Sequence, residues 1–134
     1  MSIRHHRAVR WEESLRRVFA RVDERLESKY GRDYPLHPAR PKHGTTASPE
    51  ADGLFDLGAA FTAGYGSKHG AGYVVQITMA TLAAIPKAVR ESMEREVVDM
   101  LKAELPAAFP GRDLRVERDG PVFKIVGDLS LGNV

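Results

Sequence analysis

Cysteine is absent from the 134 residues, which removes disulfides, thiolate metal centres and cysteine nucleophiles and fits a reducing compartment. No apolar run approaches the roughly 18 residues that a spanning helix needs. The basic opening MSIRHHRAVRWEE also lacks the apolar stretch of an export signal, so the expectation is a cytoplasmic protein without membrane contact. Low-complexity tracts are missing as well. With 43% hydrophobic and 28% charged residues, the composition is that of one globular domain over 1–134.

Catalytic patterns are equally thin. The five histidines show no His-x-x-x-His or His-Glu-x-x-His spacing, and the only combination in reach of a metal is His37 and His43 with an acid such as Asp33. Surface histidines are the simpler reading. Ser67, Lys68 and His69 are consecutive, so on a strand or turn their side chains diverge and cannot serve as nucleophile, base and orienter. No catalytic residue, cofactor or metal is expected.

What is present is organisation. Trp11, Leu15, Val18, Phe19, Val22, Leu26 and Tyr30 recur at spacings of three and four, which predicts an amphipathic helix ending at Gly31, read as its left-handed terminator. This segment is basic: residues 1–32 carry nine Lys/Arg against five Asp/Glu, while the rest of the chain sums to −2. Arg7, Arg10, Arg17 and Arg21 are therefore candidate contacts for an anionic partner, nucleic acid being one variant, though a net charge of +2 argues against a dedicated nucleic-acid binder.

Residues 32–53 hold four prolines, which forbid helix and predict an extended connector. Within it Pro35, Pro38 and Arg40 spell P-x-x-P-x-Arg, either a polyproline-groove ligand or a stiff surface strap. Two alternating segments follow, Phe55 to Tyr65 and Tyr73 to Ala80. Between them lies GYGSKHGAG, Gly64–Gly72. A P-loop or dinucleotide fingerprint needs its glycines to open a helix. Here strands flank them, so a hairpin is expected, with His69-Gly70 as one turn centre. Its functional alternative is an anion site built from Lys68, His69, Gly70 and Gly72.

A second helix is expected from Pro86, carrying Val89, Met93, Val97, Met100 and Leu101 on one side and stopping near Pro106. A last hairpin turns at Asp119-Gly120 and runs through Phe123, Ile125, Leu129 and Leu131. The fold class is α+β, in the order α-β-β-α-β-β: a four-stranded, mainly antiparallel sheet of two hairpins with both helices on one face. The other face of the first strand shows only Gly58, Ala60, Thr62 and Gly64, small enough for the connector, a second copy or a flat ligand to cover. Two functions stay open. One is a non-catalytic binding or assembly module, a homo-oligomer presenting the basic helix and Gly-rich hairpin to an anionic ligand or protein. The other is an enzyme or phosphate binder with a pocket between that hairpin and the connector histidines.

Overall fold

A computed structural model describes residues 3–128, with side chains from Arg10 onward. Helix α1 spans Ile3–Tyr30, strands β1 and β2 span Phe55–Thr62 and Gly72–Met79, helix α2 spans Lys87–Ala108, and strands β3 and β4 span Leu114–Asp119 and Val122–Gly127. All pairings are antiparallel, in the order β1-β2-β4-β3, so β1 and β3 are the sheet edges. The expected α+β architecture is therefore the observed one. Leu129 and Leu131 lie outside the described residues.

Both helices cover one face because each carries one apolar stripe that only the sheet and the other helix can bury. Val18, Val22 and Leu26 of α1 meet Val97, Leu101 and Leu105 of α2 and Phe55 and Ile125 of the sheet in a single core. Trp11 caps one end, its ring 4.4 Å from Phe109 and its Nε1 donating to the Tyr73 hydroxyl at 3.0 Å. Among the described residues no helix is long and apolar enough to cross a membrane.

Three local expectations need correcting. Helix α2 continues through Pro106 to Ala108. The ring sits in the exposed last turn, and buried Leu105 and Phe109 on either side, joined by Phe109 N–H to the Leu105 carbonyl at 2.9 Å, hold the helix on the core. Gly31 is not left-handed. It is required because a Cβ there would lie 2.5 Å from the Glu27 carbonyl oxygen. The first hairpin turns at Tyr65-Gly66, closed by Ser67 N–H to the Gly64 carbonyl at 3.0 Å, with Gly66 at φ 78° where a type II turn wants glycine.

The connector does not cross the small-residue face of β1. It straps the end of the sheet where β1 begins and β2 finishes instead, through His37 N–H to the Ala80 carbonyl at 2.8 Å and Thr81 Oγ1 to the Pro35 carbonyl at 2.6 Å. A Cβ at Gly58 would meet nothing within 4 Å, so that part of the outer face is open among the described residues.

Candidate functional site

Two polar centres anchor the sheet, one at each end of β1. At the connector end, Arg40 folds inward. Its Nε donates to the Gly53 carbonyl at 3.0 Å, and its Nη2 lies 2.7, 3.1 and 3.2 Å from the carbonyls of Glu50, Asp52 and Phe55. A guanidinium suits this because its fixed fork of donors can serve several carbonyls at once. The P-x-x-P-x-Arg pattern thus has an internal use.

Beside it, α1 delivers Asp23 and Glu27, one turn apart on the flank of its apolar stripe. Glu27 Oε1 accepts from the N–H groups of Leu54 and Phe55, the latter at 3.0 Å, and its carboxylate fills the space a Cβ at Gly53 would occupy. Asp52 Oδ2 accepts from Thr46 N–H at 2.9 Å and Thr46 Oγ1 at 2.7 Å. His43 lies between the acids: Nε2 is 2.9 Å from Glu24, while Nδ1 is 3.6 Å from Asp52 Oδ1 and 4.0 Å from Asp23 Oδ2.

Asp23 is the anomaly of this cluster. It is 2% exposed, and neither of its carboxylate oxygens has a hydrogen-bond partner. Burial, then the charge of Glu27, push its pKa up to about 7, with Asp52 and Glu24 adding and His43 opposing. For His43 burial acts downward, but the bond to Glu24 and the carboxylates of Glu24, Glu27 and Asp23 more than offset it, and its pKa is raised. Burial of Asp52 is likewise outweighed by the bonds from Thr46 and Gly44, leaving its pKa lowered. Among the described residues no group of three His, Asp or Glu is arranged to hold a metal ion.

Asp23 also lines a cleft of about 390 Å³ between α1 and β1. The apolar wall is Leu15, Phe19, Leu57 and Phe61, and the charged wall sets Glu12, Asp23, Glu50 and Asp56 against Arg16 alone. Phe61 is 61% exposed at its mouth. Alongside runs the free edge of β1. Phe55 turns its N–H to Glu27 and its carbonyl to Arg40, away from β2, while the Leu54 carbonyl accepts from Ala80. Strand alternation then directs the N–H and C=O of Leu57, Ala59 and Phe61 outward as well.

At the other end of β1, Lys124 is buried under the Gly-rich loop. Its Nζ donates to Asp119 Oδ2 at 2.8 Å, the Gly70 carbonyl at 2.9 Å and Ser67 Oγ at 3.0 Å. The second hairpin turns at Gly120-Pro121, one residue beyond the expected centre, which leaves Asp119 at the strand end facing Lys124. Its bond from Lys124 holds the Asp119 carboxyl down at about 2, against burial, with His69 N–H at 3.2 Å and Ser67 assisting. Gly70 N–H donates to Ser67 Oγ at 3.2 Å, and Gly72 is buried in β2, where a Cβ would lie 2.8 Å from the Ile125 carbonyl oxygen. Of the four residues expected to form an anion site, Lys68 is thus exposed, His69 and Gly70 give their N–H groups to internal acceptors, and Gly72 packs against β4.

The helix arginines divide too. Arg10 and Arg17 are exposed, Arg17 donating to Ser14 Oγ at 3.1 Å, whereas Arg21 Nε pairs with Glu104 of α2 at 2.9 Å. Arg7 lies outside the residues whose side chains are described. The connector histidines and the hairpin tip stand at opposite ends of β1, about 26 Å apart for eight extended residues, so they share no pocket. Asp23, Glu27 and Lys124 carry the buried polar chemistry without having stood out in the sequence. Their signal was slight: Asp23 and Glu27 continue the i,i+4 row from Phe19, and Lys124 interrupts an apolar strand.

The molecule is defined by these features as a two-helix, four-stranded antiparallel α+β domain with an acid-lined cleft at an open sheet edge. The chain belongs to a family described as "Uncharacterised protein", whose model matches residues 6–127. It is similar to an uncharacterised protein of Borreliella burgdorferi, 34% identical over 117 residues that make up 87% of this chain and 91% of the relative. No solved structure matches.

Proposed function

We propose that the protein is a non-catalytic assembly and binding module that pairs with a second copy of itself through the edge of β1. The observation that carries this reading is the eight-residue edge strand whose last three outward positions, Leu57, Ala59 and Phe61, have no partner strand among the described residues and end in a largely exposed phenylalanine. Unpaired edges of this length are templates for another strand. A two-fold axis through Ala59 keeps each face in register, sets Gly58 against Ala60 where nothing obstructs, and brings Phe61 of each copy over Leu57 of the other. Exposed Arg10 and Arg17, with Lys68 at the hairpin tip, supply the contacts for an anionic partner of the assembled module.

Light scattering tests the pairing. Wild type at tens of micromolar should have about twice the 14.8 kDa mass of one chain. Ala59→Pro, which deletes an outward N–H and leaves the β2 ladder intact, should be a folded monomer, as should Phe61→Asp. A monomeric wild type, or a dimer unaffected by both changes, contradicts the proposal.

A further inference from the structure

The charged wall of the α1–β1 cleft is out of balance. Four carboxylates face one guanidinium, and the most deeply placed, Asp23, offers two oxygens that nothing in the described structure satisfies. A buried carboxylate without donors is costly, because it has lost water and gained nothing in exchange. His43 does not repair the deficit. Its Nε2 is committed to Glu24, and its Nδ1 stays at 4.0 Å from Asp23. Opposite this charge the cleft is lined by Leu15, Phe19, Leu57 and Phe61, so an apolar stem can lie along the wall while a positive head reaches Asp23.

We propose that this cleft binds an organic cation, a guanidinium or alkylammonium group on a short apolar chain, with its charged head hydrogen-bonded to Asp23. A cation provides both missing donors and balances Glu12, Glu50 and Asp56 around it. An inorganic ion fits less well, since among the described residues no three His, Asp or Glu side chains are arranged to hold one and much of the wall is hydrocarbon. Asp23 and the α1 wall of the site belong to a single chain, while Leu57 and Phe61 on the apolar side are the residues that also meet across the proposed β1 pairing.

Binding must also displace a proton. Asp23 holds its proton up to about pH 7 because of its burial first and then the charges of Glu27, Asp52 and Glu24, opposed by His43, with Glu12, Glu50, Asp56 and Arg16 on the cleft wall. Affinity for a permanent cation should therefore rise about tenfold between pH 6 and pH 8.

The probes are n-butylguanidinium and its uncharged isostere n-butylurea, titrated by calorimetry and by amide chemical shifts at fixed ionic strength. The expected result is saturable binding of the cation with a dissociation constant of roughly a millimolar, as befits so small a ligand. Shifts should fall on Phe19 and Leu57, the butylurea titration should be flat, and Asp23→Asn should weaken the cation at least tenfold. Asp56→Asn, which keeps the buried acid, should weaken it only slightly. The inference is overturned if the cation fails to bind at pH 8, if butylurea binds equally well, if Asp23→Asn binds like wild type, or if only zinc or magnesium saturates the site.

Discussion

Asp23 and Arg40 show how single side chains set the stability of the connector end. A carboxyl that keeps its proton to about pH 7 when folded, but only to about pH 3.9 when unfolded, stabilises the fold at low pH, and that contribution is lost as pH rises from about 4 to 7. His43, with its pKa raised, acts in the same direction, its contribution fading as pH climbs through its folded value. Thermal melts should therefore show the protein less stable at pH 8 than at pH 5.5. Asp23→Asn should gain about 2 to 4 kcal/mol over wild type at pH 8 and little at pH 4. A variant less stable than wild type at pH 8 would contradict this account of Asp23. Arg40→Ala removes the guanidinium from the four carbonyls it serves and should cost about 2 to 4 kcal/mol in chemical denaturation, with Arg40→Lys a poor substitute. The sequence marks Arg40 as unusual but not its direction, because a proline-spaced arginine reads the same whether it faces a partner or its own backbone. Asp23 was hidden by its type: an acid beside a helical stripe is ordinarily solvated, and only the return of residues 43–52 over α1 buries it.

Elements were more legible than side chains. Helix α1, both hairpins and α2 follow from periods of 3.6 and 2, which report the face that must be buried whatever the partner. What period cannot convey is where a loop folds back. The GYGSKHGAG segment is a hairpin, as its flanking strands require, yet the cation at its heart is Lys124, fifty-two positions beyond Gly72, and its turn is Tyr65-Gly66. Its glycines should differ in cost. Gly66 is left-handed in open space, so Gly66→Ala should cost about 1 kcal/mol. Gly64 is also left-handed, and its Cβ would collide with the Gly70 carbonyl, so Gly64→Ala should cost more than about 2 kcal/mol. Equal melting temperatures for the two variants would refute this loop geometry. Removing the buried cation by Lys124→Ala should lower the melting temperature well beyond Lys68→Ala, since only Lys124 faces an acid with no water to replace it. The Lys124 and Asp119 contact also fixes the acid limb of stability: the lowered Asp119 pKa gives support above about pH 4 that disappears as pH falls towards 2.

At the scale of the molecule, one face of the sheet is closed by helices and β1 is an edge strand that ends in an exposed phenylalanine, and those two features underlie the assembly proposed for it. Strand order was beyond the sequence, because β2 joins β4 through only two aligned pairs, Tyr73 with Ile125 and Val74 with Lys124. Without that order β1 could not be recognised as an edge. Amide hydrogen exchange along β1 tests the central claim most directly. The N–H groups of Leu57, Ala59 and Phe61 point away from β2, so they are protected only if another strand lies against them, whereas Gly58 and Ala60 are held by β2 in any state. Pairing predicts slow exchange at all five positions at high protein concentration, with selective loss of protection at Leu57 and Phe61 on dilution and in the Ala59→Pro variant. Free exchange at Leu57, Ala59 and Phe61 at every concentration, beside protected Gly58 and Ala60, would mean that the edge stays open and that the protein does not assemble through it.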